Sequence, residues 1–206
     1  MRILVSVLIF VFSINTHAQN FGGGVILGLS ASQVGGDNLA GFNKAGLLVG
    51  AYANKKIAPL LILQMEITLI QKGSNNPKMN DPEHSNYNKE DITSTYIEVP
   101  LLLQFKQNEL LKIEGGVEIA YLINGYYKDL NGEIPKYTVS PFTQYDFGLI
   151  FGIDYTFSDK FSLNTRLSNS ILSIGSENYD GINSYNSSRK GKYNTVLSFA
   201  IHYNLW

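Results

Sequence analysis

Residues 95–106 read Thr95-Tyr96-Ile97-Glu98-Val99-Pro100-Leu101-Leu102-Leu103-Gln104-Phe105-Lys106. Thr95, Ile97, Val99, Leu101, Leu103 and Phe105 share one face at period two. Tyr96, Glu98, Pro100, Leu102, Gln104 and Lys106 share the other. Alternation of this kind, rich in β-branched and aromatic residues, specifies a strand and not a helix. The odd face is uncharged, whereas the even face carries Glu98, Gln104 and Lys106. Pro100 removes one ladder donor, so a bulge or locally open pairing is expected there.

The same period extends in both directions. Strands are expected at Gly24–Gln33, Ala45–Lys55, Leu61–Lys72, Leu111–Ile123, Thr143–Phe157, Phe161–Asn169 and Tyr193–Leu205. With Thr95–Lys106 this makes eight, each near the length that a tilted membrane strand needs. The connections 56–60, 107–110 and 158–160 are short, 35–44 is intermediate, and 73–94, 124–141 and 170–192 are long and polar. In a meander all the longer connections then fall at one end, and both chain termini at the other. Outer-membrane barrels segregate their loops in this way. The expected fold is an all-β, eight-stranded antiparallel up-and-down transmembrane β-barrel.

Composition agrees. The 206 residues are 44% hydrophobic but only 16% charged, with 19 Gly, 13 Tyr and 11 Phe. The absence of cysteine excludes disulfides, thiolate metal sites and a cysteine nucleophile. A net charge of −1, with 16 scattered Lys and Arg, argues against a nucleic-acid partner. Arg2, the apolar run Ile3–Ile14 and Asn15-Thr16-His17-Ala18 have the pattern of a secretory leader. We therefore expect a signal peptide over 1–18, cleaved after Ala18, and a barrel domain over 19–206 with both termini in the periplasm. Gly22-Gly23-Gly24 is read as a flexible entry to the barrel.

Charge sorts by face. Glu66, Glu98, Glu114, Glu118, Asp146, Asp154, Arg166 and His202 fall on the faces expected to point inward, as does Lys72. Outward charge in hydrocarbon would cost about 2–4 kcal/mol at the midplane. The inward set therefore reads as a lumen charge network in a packed interior. Arg166 is expected to pair across it, with Glu66, Glu98, Glu114, Glu118, Asp146 and Asp154 as candidate partners, because unpaired buried charge is costly. Phe105, Tyr121, Tyr145, Tyr155, Phe157, Phe161, Tyr193 and Tyr203 sit near strand ends, where amphipathic rings favour the membrane boundary. The alternating Ile201–Trp206 ends on an aromatic, which by likeness to outer-membrane barrels makes Trp206 an expected signal for the insertion machinery.

The segment Tyr96-Ile97-Glu98-Val99-Pro100-Leu101-Leu102-Leu103 resembles a Tyr-Leu-Glu-Ile-Pro-Leu-Leu-Leu pattern of the PorT-like outer membrane β-barrel family of Bacteroidota. Tyr96, Glu98 and Pro100 carry the motif. Gly115-Gly116 leading to Ala120-Tyr121-Leu122, Asp146-Phe147-Gly148 through Gly152, and Arg166 are similar to later parts of that family. The resemblance implies a small porin-like barrel in the outer membrane. It also raises an accessory role in protein secretion, without fixing one.

Catalytic chemistry finds little support. His202 is the only histidine on an expected strand, and Ser198 lies four residues along the same face, roughly 13 Å away. Asp81, Glu83, His84, Glu90 and Asp91 form an acidic loop without metal-site spacing. Tyr185, Arg189, Lys190 and Lys192 form a small basic–aromatic patch in another loop. No cofactor or metal is expected. The leading expectation is a non-enzymatic scaffold or binding protein, embedded in outer-membrane lipid, whose external loops meet a protein or glycan. The alternatives are a narrow solute channel, a secretion accessory and, least supported, a lipid-modifying enzyme.

Overall fold

A computed structural model describes residues 21–35, 41–75, 91–129, 132–133, 142–175 and 192–205. The expected leader, Trp206, Asp81, Glu83, His84 and Glu90 of the acidic loop, and the loop patch apart from Lys192 lie outside these residues, whereas Asp91 opens a strand. The strands are β1 (Phe21–Gly35), β2 (Lys44–Ala58), β3 (Leu61–Asn75), β4 (Asp91–Lys106), β5 (Leu111–Asp129), β6 (Gly132–Glu133), β7 (Tyr145–Thr156), β8 (Phe161–Ser170) and β9 (Tyr193–Asn204). Eight of them form the wall, and the two-residue β6 folds back on the end of β5. All wall pairings are antiparallel. β1 meets β9 from Gly24↔Asn204 to Gly35↔Tyr193, and the β4–β5 pairing completes the ring. Closure satisfies the backbone groups that hydrocarbon cannot hydrogen-bond.

The alternation turns the usual protein inside out. Leu27, Ile67 and Phe151 point outward and are 63%, 58% and 65% exposed, while their neighbours Ile26, Glu66 and Ile150 are 3%, 3% and 2% exposed. A water-soluble barrel would reverse this, with its polar face outside. Inward apolar side chains still form layers. Ile26, Leu48, Tyr52, Ile70, Tyr96, Ala120, Val196 and Ala200 pack together within the ring, and Val34, Ile92, Phe142 and Ile174 pack near the long-loop end.

Three local departures from simple alternation have physical causes. Opposite Pro100, the β3–β4 ladder runs to Met65↔Leu101 and resumes at Thr68↔Glu98 in the same register. The pairing is thus locally open where the missing donor was expected to open it. In β5, Tyr96 pairs with Leu122 but Thr95 with Asn124, so Ile123 is an extra residue. This bulge exchanges the inward and outward sets, and the strand continues to Asp129, past Ile123 where the original period stops. The glycines at 22–24 are not a flexible entry: they lie within β1, opposite Asn54, Ala53 and Tyr52. A Cβ on Gly24 would stand 2.0 Å from the Tyr203 carbonyl oxygen and 2.8 Å from the Tyr52 ring, so glycine here allows close strand approach.

Strand β7 starts at Tyr145, two residues after the expected start, because Thr143 donates its amide to Ile174 O at 2.9 Å and Phe142 bridges Gly175. Aromatic rings group near the strand ends. Tyr121 and Tyr145 meet edge to face at 5.5 Å, while Phe157, Phe161 and Tyr203 form a contiguous set at the short-turn end. Phe105 and Tyr155 are exposed on the outer face, and Tyr193 is half-buried.

Leu27 sits mid-strand between Val49 and Ile201. Leu27→Arg should lower stability by about 2–4 kcal/mol, read by reversible urea unfolding in phospholipid vesicles. Unchanged stability would remove Leu27 from the hydrocarbon.

Candidate functional site

The inward polar residues assemble into stacked tiers along the lumen. The first is built on Arg166 of β8. Its Nη1 and Nη2 donate to Glu66 Oε2 and Oε1, both at 2.7 Å, and its Nε donates to Glu114 Oε1 at 2.5 Å. The two-pronged contact matches the planar fork of a guanidinium. Glu114 also accepts from Asn164 and Gln104, each at 2.9 Å, and Glu66 accepts from Gln64 at 2.6 Å. Gly152 lies between Glu114 and Arg166 in the cross-strand row. A Cβ there would come within 2.8 Å of both side chains, so the missing side chain leaves room for their contact.

The second tier is built on Lys72 of β3. Its ammonium pairs with Glu98, lies 3.2 Å from Glu118 Oε1 and 3.9 Å from Asp146 Oδ2. It also stands 5.4 Å from the centre of the Tyr96 ring. Asp146 Oδ2 accepts from Ser170 and Asn194, both at 2.9 Å. Between the tiers a cavity of ≈20 Å³ is bounded by Glu98 and Glu118, by Arg166, and by Leu48, Ile150 and Val196. That is room for about one water molecule. Beyond the Lys72 tier, Val34, Ile92, Phe142 and Ile174 close the packing with apolar side chains.

A third group lies towards the short turns. Asp154 Oδ1 accepts from Lys112 at 2.8 Å and Oδ2 from Ser162 at 2.9 Å, while His202 Nδ1 lies 3.5 Å from Oδ2. Ser162 is the direct cross-strand neighbour of His202, yet its hydroxyl donates to the carboxylate. The trio therefore lacks a serine-to-imidazole link. It also lies in the lumen: Ser162, Asp154 and His202 are 4%, 1% and 2% exposed. Ser198 is on the same strand as His202 but sits opposite Arg166. Among the described residues no group of His, Asp or Glu is arranged to hold a metal ion.

All eight candidate lumen residues point inward, but they divide between the three groups. Arg166 pairs with Glu66 and Glu114; the other four candidate carboxylates belong to Lys72, Lys112 or His202. Lys72 and Lys112 were readable as inward by period, but not as centres of pairing. The sequence likewise does not distinguish Gln64, Gln104, Asn164, Ser170 and Asn194 as neutral ligands of these charges. Their signal is polarity on an inward face, which alone does not distinguish a hydrogen-bond partner from a wetted wall.

Arg166→Met should cost about 3–5 kcal/mol, because it leaves buried carboxylates without their cation. Adding Glu66→Gln and Glu114→Gln should recover most of the loss. Urea midpoints at constant slope measure both effects; failure of the triple variant to recover would show that the guanidinium contributes mainly by packing.

Comparison places this geometry among known proteins. The chain is similar to the crystal structure of Ail, the attachment invasion locus protein of Yersinia pestis, at 10% identity and TM-score 0.52, covering 89% of this chain and 98% of that one. It is also similar to Neisserial surface protein A at 12% identity and TM-score 0.47, covering 89% and 96% respectively. Identities this low concern the fold alone. No curated protein matches the sequence. The family model for the outer membrane protein beta-barrel domain matches residues 17–176. With its closed ring, inward charge and apolar outer wall, the chain belongs to the outer membrane protein beta-barrel domain family.

Proposed function

We propose that this outer-membrane barrel is a non-enzymatic scaffold whose long external connections bind a partner while its lumen stays closed to solutes. The carrying observation is the ≈20 Å³ cavity between the Arg166 and Lys72 tiers. An eight-stranded ring is just wide enough to be filled by side chains. Here the filling is ionic, hydrogen-bonded and capped by an apolar layer. Moving an ion through would require breaking buried pairs in both tiers, a cost that thermal breathing does not meet readily.

Removal of 1–18 by a signal peptidase, termini in the periplasm, and delivery through the outer-membrane insertion machinery belong to the same proposal. The leader pattern and the loop-length asymmetry support them. The Tyr96-Glu98-Pro100 motif supports a finer placement with the PorT-like barrels. The polar loops rich in Asn, Ser, Tyr and Gly support a protein or glycan as the bound partner.

The purified folded barrel should show no unitary conductance steps in planar lipid bilayers across a range of voltages. Discrete, reproducible steps would contradict the closed scaffold and favour a narrow channel.

A further inference from the structure

The short-turn mouth of the lumen carries an unusual concentration of positive charge. Lys106 and Lys112 are direct cross-strand partners on β4 and β5. Like charges placed opposite each other destabilise a sheet; here Asp154 on β7, opposite Lys112, and Glu109 in the turn each offset one of the two. Lys56 joins them in the lining of one cavity of ≈260 Å³, together with Glu109, Thr156 and Asn204. Three ammonium groups thus face one carboxylate in this lining. Lys112 is held by Asp154, its direct cross-strand neighbour on β7, at 2.8 Å. Glu109 is a turn residue whose side chain is 88% exposed, and it reaches Lys106 at 2.6 Å. The hydrogen bond and charge of Lys106, with the more distant charge of Lys56, hold the Glu109 carboxyl below its ordinary range. An adjoining cavity of ≈380 Å³ shares Lys112 and Asn204 and adds Lys160 and Asp159.

We propose that this mouth is a binding site for a phosphate-bearing anion, with Lys56, Lys106 and Lys112 as its charge and Thr156 and Asn204 as hydrogen-bonding groups. Lysine ammoniums are rotatable point charges that suit a compact, multiply charged phosphate better than a single planar carboxylate. Glu109 acts as a displaceable stand-in: its exposed position lets it swing into solvent when a stronger anion enters. The site is separate from the Arg166 and Lys72 tiers and does not depend on whether the lumen conducts. If the short turns face the periplasm, the phosphate comes either from a headgroup of the inner leaflet or from a soluble phosphate compound.

The test is titration of inorganic pyrophosphate into the folded barrel in maltoside micelles, followed by calorimetry, with heat modifiability on a gel confirming the fold of each variant. Saturable binding is expected, weakened at least about tenfold by the double variant Lys56→Gln and Lys106→Gln. Lys44→Gln, at the opposite end of the barrel, should leave it unchanged. Lack of saturable binding, or equal weakening by Lys44→Gln, would overturn the proposal. Nanodiscs then separate the sources. If phosphatidylglycerol weakens pyrophosphate binding relative to phosphatidylcholine alone, a lipid headgroup occupies the site; equal affinity in both assigns it to a soluble phosphate. Both outcomes retain the site, provided that the lysine double variant weakens pyrophosphate binding in the phosphatidylcholine nanodiscs; unchanged binding there would overturn it.

Discussion

The pair between Arg166 and Glu66 joins β8 to β3, which stand opposite each other in the eight-stranded ring. Closed barrels bind neighbouring strands through the ladder but have no backbone contact across the lumen. A two-pronged ion pair supplies that cross-tie. Glu114 secures the same guanidinium from β5, and Gly152 on the intervening β7 leaves the space for it. Lys72 acts from β3 towards three successive strands, through Glu98 on β4, Glu118 on β5 and Asp146 on β7. Buried ions are costly when any partner is missing, so this arrangement makes ring closure and lumen packing interdependent.

Hydrocarbon outside and charge inside follow from the same constraint. Each strand must alternate, and a single slip would carry a carboxylate into lipid. The Ile123 bulge shows how a change of phase is accommodated: it occurs near the end of the β4–β5 ladder, beyond the central stretch. The residues that break alternation are therefore informative about where the wall continues above its regular part. The Phe142–Gly175 bridge and the Thr143–Ile174 hydrogen bond lie at that same end, drawing two connections together near the apolar cap.

Period-two alternation over eight segments, with the long and short connections sorted to opposite ends, made strand identity, facing and the closed-barrel class legible in the sequence. The candidate lumen charges were legible for the same reason. Their pairing was not. Arg166 and Glu66 are 100 positions apart, and period two gives the face but not the height or stagger at which strands meet. Glycine created another ambiguity: Gly22, Gly23 and Gly24 look like a hinge by composition, whereas close contact with Tyr203 and Tyr52 gives Gly24 a packing role. The β5 extension was hidden because a one-residue bulge reverses the pattern used to recognise the strand. Cellular role is less legible still, since lumen packing constrains transport but does not name a partner.

The absence of native cysteine offers a direct measure of lumen closure. Single cysteines at Ser198, beside the central cavity, and at Lys56, in the short-turn mouth, can be compared. The measurement is the rate of labelling by a small, membrane-impermeant thiol reagent applied to the folded barrel in detergent. The account predicts that Lys56→Cys reacts readily and Ser198→Cys remains protected until the barrel is unfolded. Labelling of both at comparable rates, with the fold intact, would contradict a lumen sealed by the Arg166 and Lys72 tiers.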